Sequence, residues 1–320
     1  MKRIGVLTSG GDASGMNPAL RAVVRSAIVH GLEVIGIERG YEGLLNGWLK
    51  PLSLSSVGGI INRGGTILRT ARSERFKTDE GLQTAAQTLH DNGIEGLVVI
   101  GGDGSFRGAV RLEEVSGVAV VGIPATIDND IGGTEYTLGF DTALQVAMDA
   151  IDKIRDTADS FERIFVIEVM GRSRGFIAAA VGLAGGAEAI LVPEIPFDPV
   201  QVCERLKQGM ARGKRSAIIV TAEGAARAQE VATFVEMYLR EEVRATVLGY
   251  TQRGGSPTAT DRIMGARFGA LAVDLLLQGQ RGMMTAAHGD EVLAVPLRAS
   301  WEQPRVLDES LLKLNEVLAS

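Results

Sequence analysis

Gly96-Leu97-Val98-Val99-Ile100-Gly101-Gly102-Asp103-Gly104-Ser105 decides the fold. An apolar strand-forming run, 96–100, ends in a glycine turn, and a helix is expected from Ser105 to Glu114. The next apolar run, Val118 to Ile123, ends in a second acidic turn, Thr126-Ile127-Asp128-Asn129-Asp130. Val/Ile strands that alternate with helices imply a parallel sheet covered on both faces. Such open sheets bind ligands at the carboxyl ends of their strands, where both turns fall.

The same alternation extends in both directions. Upstream, a strand Arg3–Thr8 leads through Ser9-Gly10-Gly11-Asp12 into a helix from about Met16 to His30, a strand Leu32–Ile37 and a helix Thr78–Asn92. Downstream, a helix from Phe140 to Ala158 carries apolar residues at 144, 147, 148, 151 and 154, the spacing of one buried face. The pattern then restarts with strands at Ile164–Glu168, Ala189–Val192 and Ala217–Ala222, separated by helices Gly175–Leu183 and Pro199–Ala211. Two such runs predict an α/β protein of two similar three-layer α/β/α domains, with mainly parallel sheets and a cleft between them.

Composition narrows the function classes. The chain has 320 residues, 45% hydrophobic and 22% charged, with a net charge of −6. That balance is ordinary for a soluble globular protein and lacks the basic surface a nucleic-acid binder needs. A single cysteine, Cys203, excludes an intrachain disulfide and makes a reducing cytoplasm the expected location. Met1-Lys2-Arg3 leads directly into a strand, with no signal-peptide core. The apolar stretch Phe176–Val192 contains Glu188 and three glycines, and reads as a buried helix, a Gly-Gly loop and a strand, not as a membrane span.

Familiar nucleotide motifs fail. Gly209 to Arg215 is too short for a P-loop and carries Arg where the metal-binding Ser or Thr belongs. Gly102-x-Gly104-x-x-Arg107 lacks the third glycine of the dinucleotide fingerprint. The two Gly-Gly-Asp turns, 10–12 and 101–103, instead offer backbone N–H groups to a phosphate chain, against the plainer reading of tight turns with Asp12 as a helix cap. Thr126, Asp128 and Asp130 alternate, so an extended backbone would point all three the same way; as simple turn formers they would do nothing chemical. Arg72, Arg163, Arg172, Arg244 and Arg253 lie in loops or near strand ends, where guanidinium groups can hold phosphate. A phosphate cradle, a metal-seeking carboxylate and a candidate base are the parts of a phosphoryl transferase.

Taken together the motifs resemble those of the bacterial ATP-dependent 6-phosphofructokinases, from Met1 to about Gly279. The stretches that carry the resemblance are 2–12, Arg63-Gly64-Gly65-Thr66, 101–105, 126–130, Glu168-Val169-Met170-Gly171-Arg172, Ala222-Glu223-Gly224 and Gln252-Arg253-Gly254-Gly255-Ser256-Pro257. The resemblance implies a larger ATP-binding domain of 1–139 plus 252–302 and a smaller fructose 6-phosphate domain of 140–251 plus 303–320. By it, Gly11, Tyr41, Arg72, Ser73, Phe76, Lys77, Gly102, Asp103, Gly104, Ser105 and Gly108 would hold MgATP, with Asp103 toward the magnesium. Asp128 would be the base, with Thr126, Asp130, Arg172 and Gly11 completing the catalytic set. Met170, Gly171, Glu223, Tyr250 and Arg253 would hold the sugar phosphate, and Arg163 and Arg244 would reach its 6-phosphate from a neighbouring subunit of a homotetramer. Arg21, Arg25, Arg155, Gly186, Glu188, Arg212 and Lys214 match a site for the effectors ADP and phosphoenolpyruvate.

The sequence also departs from that family. Tyr250, Phe161 and Ser173 stand where histidines are common, Arg174 where Ala is usual, and Leu54 and Gly59 fall where polar residues often assist effector binding. Gly104 and Ala125 replace the Asp and Lys of pyrophosphate-using relatives, which favours ATP. A pyrophosphate-dependent enzyme and a catalytically weak ligand-sensing homologue are the alternatives. No nucleic-acid or membrane partner is expected.

Overall fold

The computed structural model describes residues 1–319. The chain forms two compact units, Met1–Thr142 with Arg253–Arg305, and Ala143–Gln252 with the chain from Val306 onward. In order, the first unit contributes β1 (Arg3–Thr8), α1 (Met16–Val29), β2 (Glu33–Ile37), α2 (Gly40–Asn46), β3 (Leu49–Leu52), α3 (Asp79–Asp91), β4 (Gly96–Gly101), α4 (Asp103–Ser116) and β5 (Ala119–Pro124). Helix α5 (Phe140–Phe161) carries the chain onward to β6 (Ile164–Val169), α6 (Phe176–Ala184), β7 (Ala189–Leu191), α7 (Pro199–Ala211), β8 (Ala217–Ala222), α8 (Ala228–Leu239) and β9 (Val243–Val247). The return brings α9 (Ala259–Leu277), β10 (Met283–His288), β11 (Glu291–Pro296), α10 (Ala299–Glu302) and finally α11 (Glu309–Leu318).

The first sheet has the order β11-β10-β5-β4-β1-β2-β3. Its interior pairs are parallel, while β3 and β11 close the two edges antiparallel. All six residues of β4 are buried, which is why its apolar run shows no polar alternation. Leu7, Ile37, Leu97 and Val99 share one core with Leu44 of α2, Leu82 and Leu89 of α3, and Phe106 of α4. Helix starts follow local chemistry: Thr78 caps α3 by accepting from the Gly81 N–H, and Thr258 caps α9 by accepting from the Asp261 N–H. Helix α1 is different. It begins after Gly15 at φ 117° with no side-chain cap, so Asp12 is not a helix cap.

The second sheet, β7-β8-β6-β9, is parallel throughout. Ile164, Val166 and Ile219 pack with Leu206 of α7 and Val231 and Val235 of α8. Both units are therefore α/β with mainly parallel sheets. The alternation read from sequence stops at Ala222; the structure continues it with α8 and β9 before the chain returns to complete the first sheet. The 176–192 stretch forms α6, a turn and β7, and among the described residues no helix is long and apolar enough to cross a membrane.

Candidate active site

Strand order explains where the motifs meet. From β1 the chain moves one way to β2 and later appears on the other side as β4, so the sheet's switch point lies between β1 and β4. Thr8 pairs with Ile100 and the Ser9 N–H donates to the Ile100 carbonyl at 3.0 Å, which sets the 9–12 and 101–105 turns side by side. The Ala125 N–H donates to the Gly101 carbonyl at 3.0 Å and brings the 126–130 turn in beside them. Three separate segments thus meet at the carboxyl ends of three neighbouring strands of one sheet.

Gly11 sits under an arginine. A Cβ there would lie 2.2 Å from Arg253 Nη1, and that guanidinium approaches the Asp12 carboxylate at 3.9 Å. Gly102 precedes α4, and Asp103 opens that helix with 43% of its side chain exposed and Arg107 3.6 Å away. Beyond Gly102 and Gly104 nothing lies within 4 Å of where a Cβ would be, so the helix N-terminus faces open space. An accessible carboxylate at a helix start, where backbone N–H groups favour anions, suits Mg²⁺, which takes one or two carboxylates and otherwise phosphate oxygens and water. Among the described residues no group of three or more His, Cys, Asp or Glu is arranged to hold a metal ion.

Tyr41 and Phe76 are buried and stacked, with ring centroids 3.9 Å apart. Gly108 lies against them, where a Cβ would be 2.9 Å from the Phe76 ring. The Tyr41 hydroxyl donates to the Ser105 carbonyl at 2.6 Å, tying this pair to the start of α4, and burial pushes its pKa up. Ser73 donates to Glu42 at 2.5 Å and Arg75 stands 3.6 Å from the same carboxylate. The Ser73 and Asn46 hydrogen bonds hold Glu42 below the usual carboxylate range. Lys77 pairs with Glu74 at 2.7 Å, and Arg72 is exposed beside this segment.

The Thr126–Asp130 run corrects the extended reading. It forms a turn at 127–128, and Asn129 adopts a left-handed φ of 51°, so Thr126, Asp128 and Asp130 do not project as alternate residues of one strand. Asparagine tolerates this region because its short polar side chain bonds locally. Asp128 is 1% exposed, and its N–H donates to Thr126 Oγ1 at 3.2 Å.

In the second unit the same principle assembles a different set. Val169 pairs with Ala222, so Met170-Gly171-Arg172 and Glu223 leave neighbouring strand ends. Glu223 Oε1 accepts from the Gly171 N–H at 3.1 Å and the Arg172 N–H at 2.7 Å. Gln252 accepts from the Met170 N–H at 2.8 Å. Arg163 stands 2.8 Å from Glu242, and Arg244, which lies within β9, pairs with the same carboxylate. Tyr250 is 82% exposed. Glu42 and Glu242 carry no sequence signal because their relevance is entirely that of partners to other groups.

The effector-matching residues of this unit also gather. Arg155 donates to the Gly185 and Gly186 carbonyls at 2.5 and 2.9 Å. Glu188 accepts from the Ile218 N–H at 2.7 Å and lies 3.6 Å from Lys214, whose ammonium donates to the Ala319 carbonyl. Arg212 follows the end of α7. In the first unit, Arg21 and Arg25 are half-buried on α1 and not a fully exposed face.

A phosphofructokinase family model matches residues 3–276. The chain is 56% identical over 321 residues to "ATP-dependent 6-phosphofructokinase 1" of Thermus thermophilus, covering all of both chains. Among solved structures it resembles a phosphofructokinase of Saccharomyces cerevisiae at 34% identity with a TM-score of 0.87, covering 99% of this chain and 46% of that one. It also resembles a pyrophosphate-dependent phosphofructokinase of Marinobacter aquaeolei at 25% identity and a TM-score of 0.89, covering 99% and 88%.

Proposed function

Because the chain belongs to the phosphofructokinase family, we propose that it is an ATP-dependent 6-phosphofructokinase, transferring the γ-phosphoryl group of ATP to the 1-hydroxyl of fructose 6-phosphate in glycolysis. The observation that carries this reading is the convergence of three motif segments at the β1/β4 switch point, with open space at Gly104 where a nucleotide needs it.

On this reading the turns at 9–12 and 101–105 cradle the triphosphate, and Arg72, Ser73, Lys77, Tyr41, Phe76 and Gly108 shape the rest of the nucleotide site. Asp103 would hold Mg²⁺, which supplies charge neutralisation on the phosphates when bound. Asp128 takes the proton of the 1-hydroxyl as that oxygen attacks, while Thr126 and Asp130 orient the reacting groups. Arg172 offsets the charge that builds on the transferring phosphoryl. Met170, Gly171, Glu223, Tyr250 and Arg253 hold the sugar phosphate. Little covalent chemistry falls to the protein; positioning and electrostatics supply the rate.

The reading extends to a cytoplasmic homotetramer in which Arg163 and Arg244 reach the 6-phosphate bound by a neighbouring subunit. Arg21, Arg25, Arg155, Gly186, Glu188, Arg212 and Lys214 then form a site for ADP or phosphoenolpyruvate. Pyrophosphate use is disfavoured, since Gly104 and Ala125 lack the acidic and basic side chains of that branch.

Product identification tests the reaction. Purified protein given ATP, Mg²⁺ and fructose 6-phosphate should yield fructose 1,6-bisphosphate, read by aldolase-coupled oxidation of NADH. Nucleotide-dependent thermal stabilisation without product would instead favour a ligand-sensing homologue.

A further inference from the structure

Behind the Asp128 turn lies a set of polar contacts that none of the sequence motifs includes. Asp261, in the first turn of α9, is 0% exposed. Its Oδ1 accepts from the Tyr136 hydroxyl and the Gly139 N–H, both at 2.7 Å. Its Oδ2 accepts from the Thr142 N–H at 3.0 Å and from the Thr142 hydroxyl. A buried carboxylate is costly unless donors surround it, and here the four donors all come from residues 136–142.

That limb doubles back onto the turn. The Leu138 N–H donates to the Pro124 carbonyl at 3.0 Å, and Ala125 and Leu138 form an isolated parallel bridge. Between these anchors, the fully buried Thr137 donates its hydroxyl to the Thr126 carbonyl at 2.6 Å, with Asn129 Oδ1 3.2 Å away. One hydroxyl therefore grips the turn on both sides of Asp128. Were Asp261 only a cap for the start of α5, the Thr137 contacts would have no bearing on it.

We propose that Asp261 and Thr137 are positioning residues for Asp128: Asp261 fixes the 136–142 limb, and Thr137 transmits that fixity to the turn. The proposal rests on the reading of Asp128 as the base. It needs no contact between either residue and substrate.

The test compares Thr137→Val, nearly isosteric but without the hydroxyl, with Thr137→Ser, which keeps it. Misplacing a reacting group by about 1 Å costs about 10²-fold, so kcat should fall by about that factor in Thr137→Val with the KM for ATP within about two-fold. Thr137→Ser should return kcat to within about three-fold of wild type. Hydrogen exchange on the whole protein provides a readout independent of turnover. In Thr137→Val, peptides covering 125–130 should exchange faster while those covering β4 stay unchanged. Should Thr137→Val fail to fold, Tyr136→Phe removes one donor to Asp261 without touching the turn, and should show a smaller kcat loss with the same local exchange. An unchanged kcat and exchange in the folded variant, a serine variant as slow as the valine one, or exchange rising equally in β4 would each overturn the proposal. Wild-type protein without ATP-dependent turnover would overturn the role of Asp128 itself, and the exchange arms would still decide the positioning claim.

Discussion

The Arg172 amide donates to the Glu223 carboxylate at 2.7 Å, and Arg172 holds a left-handed φ of 53°. For a non-glycine residue that conformation costs roughly 1–3 kcal/mol and persists only where surrounding structure imposes it. Glu223 supplies the restraint, since the same oxygen also accepts from Gly171. Glu223→Ala should therefore lower kcat by about 10²-fold in addition to raising the KM for fructose 6-phosphate. Glu223→Gln retains an acceptor oxygen and should keep most of kcat. An alanine variant that raises KM alone would contradict the restraint.

Gly11 and Arg253 are coupled by space. A methyl group at 11 would lie 2.2 Å from Arg253 Nη1. The guanidinium is the end of a flexible side chain, so Gly11→Ala should displace it with little loss of melting temperature. Losing a charge-assisted hydrogen bond is worth about 1.5–3 kcal/mol, so the KM for fructose 6-phosphate should rise about ten-fold or more. Steady-state kinetics beside a melting curve separate this from simple destabilisation.

Much of this arrangement was legible in the sequence. The apolar runs of β4 and β5 read as buried strands because they carry no alternation, and the glycines after them mark strand ends. The 40–52 segment was not legible: Gly40-Tyr41-Glu42-Gly43 has neither a helical nor a strand period, and α2 forms because Tyr41, Leu44 and Leu45 find a core supplied by distant residues. The β10–β11 hairpin did leave a signal, the Gly289-Asp290 pair between two strand runs. The 126–130 turn misread as extended because a single left-handed Asn129 reverses the alternation. Asp261 is marked only by its spacing from Thr258, a helix-start pattern that says nothing of the limb it holds. That the three acidic and glycine turns adjoin depends on strand order, which packing decides.

Glu42 offers a pH test. Its hydrogen bonds from Ser73 and Asn46 lower its pKa on folding, so its contribution is present above the unfolded value and is lost as pH falls through the folded value. Glu42→Gln should cost about 0.5–1 kcal/mol near neutrality, the range of a partly exposed ion pair. In acid, below the folded pKa, the two proteins should unfold alike. Urea melts at neutral and acidic pH check this, and an equal deficit at both would contradict it.

Tyr250 lies at an exposed position three residues before Arg253. Tyr250→His should change the KM for fructose 6-phosphate severalfold while leaving the KM for ATP in place. An unchanged sugar-phosphate KM would remove Tyr250 from the site.

The donor decides the central claim most directly. Initial rates on purified protein with fructose 6-phosphate and Mg²⁺ should be compared with ATP and with pyrophosphate as alternative phosphoryl donors. The open space at Gly104 and the apolar Ala125 lead us to expect turnover with ATP and none above background with pyrophosphate. Turnover with pyrophosphate alone would contradict the account.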